Sequence, residues 1–180
     1  MTINKVIRIN ENTLRYLIKE AVHDYIKAIT SYGGDKYDDY EQFFTPENEQ
    51  EFKQWLNKQP KLNGVTIYRG YTFDKQYFED CFFEVGKIIG EDELTQQSNP
   101  SFTTSLIRAA SYIREFGETS LSSIQEVLFE IQTTGKYFVD ISSLSYYPEE
   151  NEIKVCDGFK LKIIGIKQKG GFLSIKCVEV

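Results

Sequence analysis

The sequence predicts an α+β protein, with helices near the N-terminus and a mostly β part after them. Three observations lead there. Apolar residues recur at helical spacing from Leu14 to Ile29. Residues Val127 to Gln132 alternate apolar and polar, as a half-buried strand does. Two apolar runs near the C-terminus flank Gly170-Gly171, which reads as a hairpin turn.

The first helix is expected from residue 13 to about residue 29. Leu14, Leu17, Ile18, Ala21, Val22, Tyr25, Ile26 and Ile29 form its apolar face. Asn12 or Thr13 can cap its start, and Gly33-Gly34 ends the region. The single histidine, His23, lies within it and reads as a surface or boundary residue. A second helix is expected from Pro46 to Lys58. Pro46 suits the first turn, Glu47, Glu49 and Glu51 suit the positive end of the dipole, and Pro60 stops it. Phe52, Trp55 and Leu56 give it an apolar stripe. Val65 to Tyr68 reads as a short strand that ends at Arg69-Gly70. A helix carrying Tyr77, Phe78 and Cys81 follows, then a turn into a strand around Ile88-Ile89. Residues 106 to 116 read as a helix with Leu106, Ala109, Ala110 and Ile113 on one face, ended by Gly117. Later strands are expected at 127–132, 137–141 and 152–156, and the hairpin at 159–166 and 172–180. The chain divides into a helical region, 1–60, packed on a core, 61–180, within one domain.

Composition bounds the function. Hydrophobic residues at 41% and charged residues at 27% exclude a disordered chain. The 12 Tyr and 13 Phe favour strands and pocket walls. A net charge of -6 gives no general attraction to nucleic acid or anionic membrane, although a local basic patch stays open. Cys81, Cys156 and Cys177 are odd in number and widely spaced, which fits a reducing compartment and not a disulfide framework. No apolar run approaches the roughly 20 residues of a spanning helix, and no signal-like segment follows Met1. A cytoplasmic protein without a membrane segment is expected.

Elimination narrows the chemistry. One histidine leaves no Ser-His-Asp system outside its own helix. Cysteine and histidine never cluster at metal-ligand spacing, so no metal is expected. Neither glycine-rich phosphate loop occurs, so arginine or backbone groups must hold any phosphate. Three segments remain. Arg69 beside Gly70 can grip a pyrophosphate or carboxylate with its forked guanidinium, or can be a surface arginine before a turn. Thr103-Thr104-Ser105, after Phe102, can cap the next helix or orient a carboxylate. Glu150 and Glu152 would share a face in an extended chain, either as paired working carboxylates or as exposed acids at a strand start.

An arginine, then a hydroxyl run after an aromatic, then Glu-x-Glu, in this order, resembles the Arg–Ser–Glu class of mono-ADP-ribosyltransferases, the cholera-toxin-like branch. Ser101 to Leu106 followed by an alanine-rich helix resembles small intracellular members carried by tailed bacteriophages. The resemblance spans roughly residues 65 to 180. It implies an ADP-ribosyltransferase-like split β-sandwich core and NAD as co-substrate without a metal. Arg69 would bind an NAD phosphate, and Gly70 would present backbone to the nicotinamide amide. Thr103 would stand for the serine that hydrogen-bonds the catalytic glutamate, Glu152, while Thr104 and Ser105 shape the pocket floor. Glu150 would hold and activate the acceptor, an arginine of an intracellular protein rather than nucleic acid. Tyr146 or Tyr147 would be the exposed aromatic of a recognition loop, and the loop from Gly117 to Ser123, with Arg114 before it, would cover the phosphates. The location implied is a cytoplasm, that of the host if the chain is phage-encoded. An NAD glycohydrolase, or a silent binding module of the same fold, are the competing readings.

Overall fold

A computed structural model of the 180-residue chain describes residues 20, 22–28, 43, 45–94, 100–115, 123–145 and 147–180. The first predicted helix lies mostly outside these residues. Its described part, α1 (residues 22–28), buries Val22, Tyr25 and Ile26 as the periodicity predicts.

Helix α2 (Pro46–Lys58) has the predicted bounds. Thr45 caps it by accepting from the Asn48 amide at 3.2 Å. At its other end Lys61 Nζ donates to the carbonyls of Leu56 (2.8 Å), Asn57 (3.1 Å) and Gln59 (2.8 Å), placing a cation on the negative end of the helix. Phe52 and Leu56 pack with Val22, Tyr25 and Ile26 of α1 against Val139, Ile141 and Cys156.

The remaining order is β1 (Asn63–Asp74), α3 (Lys75–Asp80), β2 (Ile88–Ile89), α4 (Glu91–Leu94), β3 (Ser101–Thr103), α5 (Leu106–Glu115), β4 (Ile124–Thr134) and β5 (Phe138–Asp140). Two short 3-10 turns, Ser142–Leu144 and Pro148–Glu150, precede β6 (Glu152–Val155), and the hairpin β7 (Leu161–Lys169) and β8 (Phe172–Glu179) closes the chain. Strand β1 is longer than predicted. It does not end at Arg69, because β4 pairs with it from Asn63↔Thr134 to Asp74↔Ile124 and the ladder carries it through Gly70.

The strands form one eight-stranded sheet in the order β2-β7-β8-β4-β1-β3-β6-β5. Among the described strands only β4 and β8 run parallel. The β1–β3 junction is the narrowest place in the sheet, held by the single pair Tyr68↔Thr103. One side of the sheet carries the main core, with Ile67, Phe73, Phe102, Phe129, Phe138, Ile153 and Phe159. Phe102 meets Phe138 edge-on at 5.0 Å. Against the other side, α5 buries Ala109 and Ile113 on Leu128. Leu106 stays 48% exposed, so the apolar face of α5 is narrower than the sequence predicts.

Three features concern the whole molecule. All three cysteines are buried and free, and burial pushes the Cys177 thiol up to about 12, which makes it inert. Among the described residues no helix is long and apolar enough to cross a membrane. Glu179, 3% exposed, accepts from the amides of Thr134, Lys136 (3.4 Å) and Tyr137 (2.8 Å). It thereby satisfies the turn between β4 and β5 from the far end of the chain. Glu179→Ala strands those donors and is expected to lower stability by about 3 kcal/mol in urea unfolding. An unchanged midpoint would show that water replaces the carboxylate without cost.

Candidate active site

The site grows out of the β3–β6 pairing. Ser101 lies opposite Lys154, Phe102 opposite Ile153, and Thr103 opposite Glu152. Alternation sends Phe102, Ile153 and Val155 into the core. It sends Ser101, Thr103, Glu152 and Lys154 to the other face, where Glu152 and Lys154 are buried all the same.

Glu152 Oε1 accepts from Ser101 Oγ at 2.7 Å and from Lys154 Nζ at 3.0 Å. Lys154 Nζ also donates to Ser101 Oγ at 2.6 Å, closing a three-membered ring of contacts. Oε2 has one longer contact, from Ser145 Oγ at 3.4 Å. Sequence reasoning missed Lys154. The available signal was an ionisable residue two positions beyond Glu152, between the apolar Ile153 and Val155.

The hydroxyl that meets Glu152 is that of Ser101 and not that of Thr103. Thr103 Oγ1 is already committed: it donates to the Glu150 carbonyl at 2.7 Å and accepts from the Ser105 amide at 3.0 Å. Ser105 Oγ in turn accepts from the Arg108 amide at 3.2 Å, which caps α5. The hydroxyl run therefore caps the helix and fastens the glutamate segment through its backbone, while the carboxylate it was expected to orient is bonded by Ser101 instead. Thr104 is exposed at the bend between β3 and α5.

Glu150 and Glu152 do not alternate along one extended strand. Glu150 sits in the second 3-10 turn, and Asn151 takes a left-handed φ of 50° before the strand starts. The Glu150 carboxylate faces α5, where it pairs with Arg108 Nη2 and accepts from Tyr112 Oη at 3.2 Å. The Arg108 guanidinium lies over the Tyr112 ring, 5.4 Å from its centre. Burial, followed by the Glu150 carboxylate, pushes the Tyr112 phenol up and keeps it a donor.

Arg69 stands in the middle of β1. Its Nη1 donates to the Ser101 carbonyl at 2.7 Å. Its guanidinium lies 5.2 Å from the Tyr71 ring centre and 5.6 Å from that of Phe102. Nε is buried without a partner among the described residues. Loss of water lowers its pKa to about 10, against the pull of Tyr71 and Tyr112. It remains a cation at neutral pH, with donor capacity unused, which suits an anionic ligand. Gly70 has a structural duty that the sequence did not reveal: a Cβ built there lies 1.8 Å from the Ala109 carbonyl oxygen of α5.

The loop expected to recognise the acceptor is partly described. Tyr147 is half-buried, and its amide donates to Ser145 Oγ at 3.1 Å. Lys27 of α1 donates to the Ser145 carbonyl at 3.0 Å, so the N-terminal helical region braces the loop behind Glu152. Tyr146, most of the loop from Gly117 and the Arg114 side chain fall outside the described residues. A separate hollow of about 330 Å³, lined by Trp55, Lys61, Val139 and Asp140 among others, contains none of the candidate residues. Among the described residues no acidic, histidine or cysteine cluster is placed to hold a metal ion.

No protein-family model matches the sequence, and no curated protein matches it. Solved structures do match. The ADP-ribosyltransferase Vis from Vibrio splendidus, in complex with an inhibitor, superposes with a TM-score of 0.61 at 24% identity, covering 96% of this chain and 74% of Vis. Vis in complex with agmatine gives 0.59 at 19% identity over 98% of this chain and 88% of Vis. An ADP-ribosyltransferase from Clostridium botulinum gives 0.57 at 13% identity over 99% of both chains. The arrangement of strands and helices described above is thus the ADP-ribosyltransferase fold.

Proposed function

We propose that the chain is an NAD-dependent mono-ADP-ribosyltransferase of the Arg–Ser–Glu kind that transfers ADP-ribose to an arginine of an intracellular protein and releases nicotinamide. One observation carries this reading. Ser101 offers its carbonyl to Arg69 and its hydroxyl to Glu152, each at 2.7 Å, so the cationic fork and the acid meet at a single residue across the narrow β1–β3 junction. The fold supports the same reading.

The roles follow from charge. Arg69 holds an NAD phosphate with its unused donors. Glu152 hydrogen-bonds the nicotinamide ribose and stabilises the oxocarbenium-like charge that develops as the glycosidic bond breaks. Ser101 takes the orienting role the resemblance gave to Thr103, and Thr103 locks Glu150 in place from behind. Glu150 binds the acceptor guanidinium, which needs a carboxylate because it stays protonated in water. Tyr112 flanks that position. Tyr147, and Tyr146 beside it, belong to the loop that meets the protein acceptor.

A second reading, NAD glycohydrolase, gains support from one contact. Glu150 already holds the chain's own Arg108, which leaves water as the unobstructed acceptor. An incoming guanidinium must displace Arg108. Arg108→Ala is therefore expected to lower the KM for a small guanidine such as agmatine by roughly threefold to fivefold, the modest figure suiting a pair of which Arg108 is 41% exposed. A KM that rises would make Arg108 part of the acceptor site.

Labelled NAD incubated with cell lysate, wild type beside Glu152→Gln, tests the reading. Label on protein arginines for wild type only is expected. Nicotinamide release without protein label would favour the glycohydrolase, and neither would refute both.

A further inference from the structure

The ion pair at Glu152 is unexpected for the job assigned to it. A carboxylate meant to stabilise a developing cation is in contact with another cation, and both are buried. A buried pair of this kind is costly to desolvate and gives little net stability. Its presence in the middle of the site therefore calls for a chemical reason.

The geometry supplies one. Lys154 and Ser101 both sit on Oε1, and they also bond each other. That arrangement fixes the carboxylate plane and uses up one oxygen. Among the described residues, Oε2 keeps only the 3.4 Å contact from Ser145, whose carbonyl is held in turn by Lys27 of α1. The other charged groups nearby are engaged elsewhere. Arg69 of β1 bonds the Ser101 carbonyl, while Arg108 and Tyr112 of α5 bond Glu150. Lys154 is thus the one cation among these with a contact to the Glu152 carboxylate. We propose that Lys154 is a positioning residue for Glu152: its ammonium occupies Oε1 and, with Ser101, fixes the carboxylate plane, so that Oε2 is the oxygen presented to the substrate ribose.

This rests on the transferase reading, and nicotinamide release by wild type separates the two. Turnover and the KM for NAD are compared for wild type, Lys154→Met and Lys154→Arg. In Lys154→Met the turnover falls about tenfold or more through lost orientation, with the KM for NAD little changed. Lys154→Arg, which keeps a cation and donors at Oε1, restores much of the rate. A methionine variant that matches or exceeds wild type, or whose loss falls on the KM instead of the turnover, overturns the proposal. If the methionine variant does not fold, the arginine variant decides: turnover within a few-fold of wild type supports the assignment, and a loss of about tenfold or more refutes it. Wild type that releases no nicotinamide removes the transferase reading itself and this proposal with it.

Discussion

Glu152→Gln is expected to lower nicotinamide release by about a hundredfold or more. The amide keeps the shape of the side chain but not the charge that the developing ribosyl cation would require in the proposed reaction. The substitution also leaves the Lys154 ammonium, 4% exposed at its side chain, without its carboxylate. Removing one member of a buried pair costs about 3–5 kcal/mol, so part of any activity loss would be unfolding. The rate is therefore read beside a urea titration, and beside the double variant Glu152→Gln, Lys154→Met. Loss of that ammonium should restore stability in the double variant but not the rate. A single variant that folds and works within a few-fold of wild type would exclude Glu152 as the catalytic carboxylate.

Gly70→Ala is expected to be the most disruptive small substitution on the sheet. The added methyl would lie 1.8 Å from the Ala109 carbonyl oxygen and 2.9 Å from Ile113 Cγ1. The first of these is helix backbone and cannot swing aside as a side-chain tip can. Either α5 lifts from β1 or β1 bends, at a cost of about 3 kcal/mol or more, the upper end for overpacking. Lifting α5 also moves Arg108 and Tyr112 away from Glu150, so surviving protein should show the same lowered KM for a small guanidine that is expected of Arg108→Ala. A normal thermal midpoint for Gly70→Ala would mean that the helix tolerates the shift.

These two residues also show how far the chain can be read from its sequence. Local patterns are legible wherever local forces decide. Pro46, the first-turn acids and Pro60 bracket α2, and Gly170-Gly171 marks the β7–β8 hairpin, because caps and turns depend on neighbours in sequence. Strand β1 reads too short because its second half is stabilised by β4, some 50 residues away in sequence, which no local pattern reveals. Arg69, Glu150 and Glu152 are legible as chemistry-bearing residues, but their partners are not. Ser101 replaces Thr103 at the carboxylate because the β3–β6 register decides which hydroxyl is free, and register is a long-range property. Lys154 reaches Glu152 by the same register, whereas Arg108 and Tyr112 reach Glu150 because α5 packs beside that turn, which is equally long-range. The left-handed Asn151 breaks the expected alternation of the two glutamates, and only the folded chain reveals that turn.

The strand order has a bearing on how the protein behaves in a crowded solution. Its outermost members are β2, with two residues, and β5, with three. The long strands, each of eight residues or more, are all interior. Strand β2 pairs with β7 only at Leu161 and Lys162, so among the described strands the outer edge of β7 from Ile164 to Lys169 is where another polypeptide could extend the ladder. Lys162, Lys167 and Lys169 place like charges along that edge, and concentrated samples should resist fibril growth for as long as the native pairing holds and salt is low.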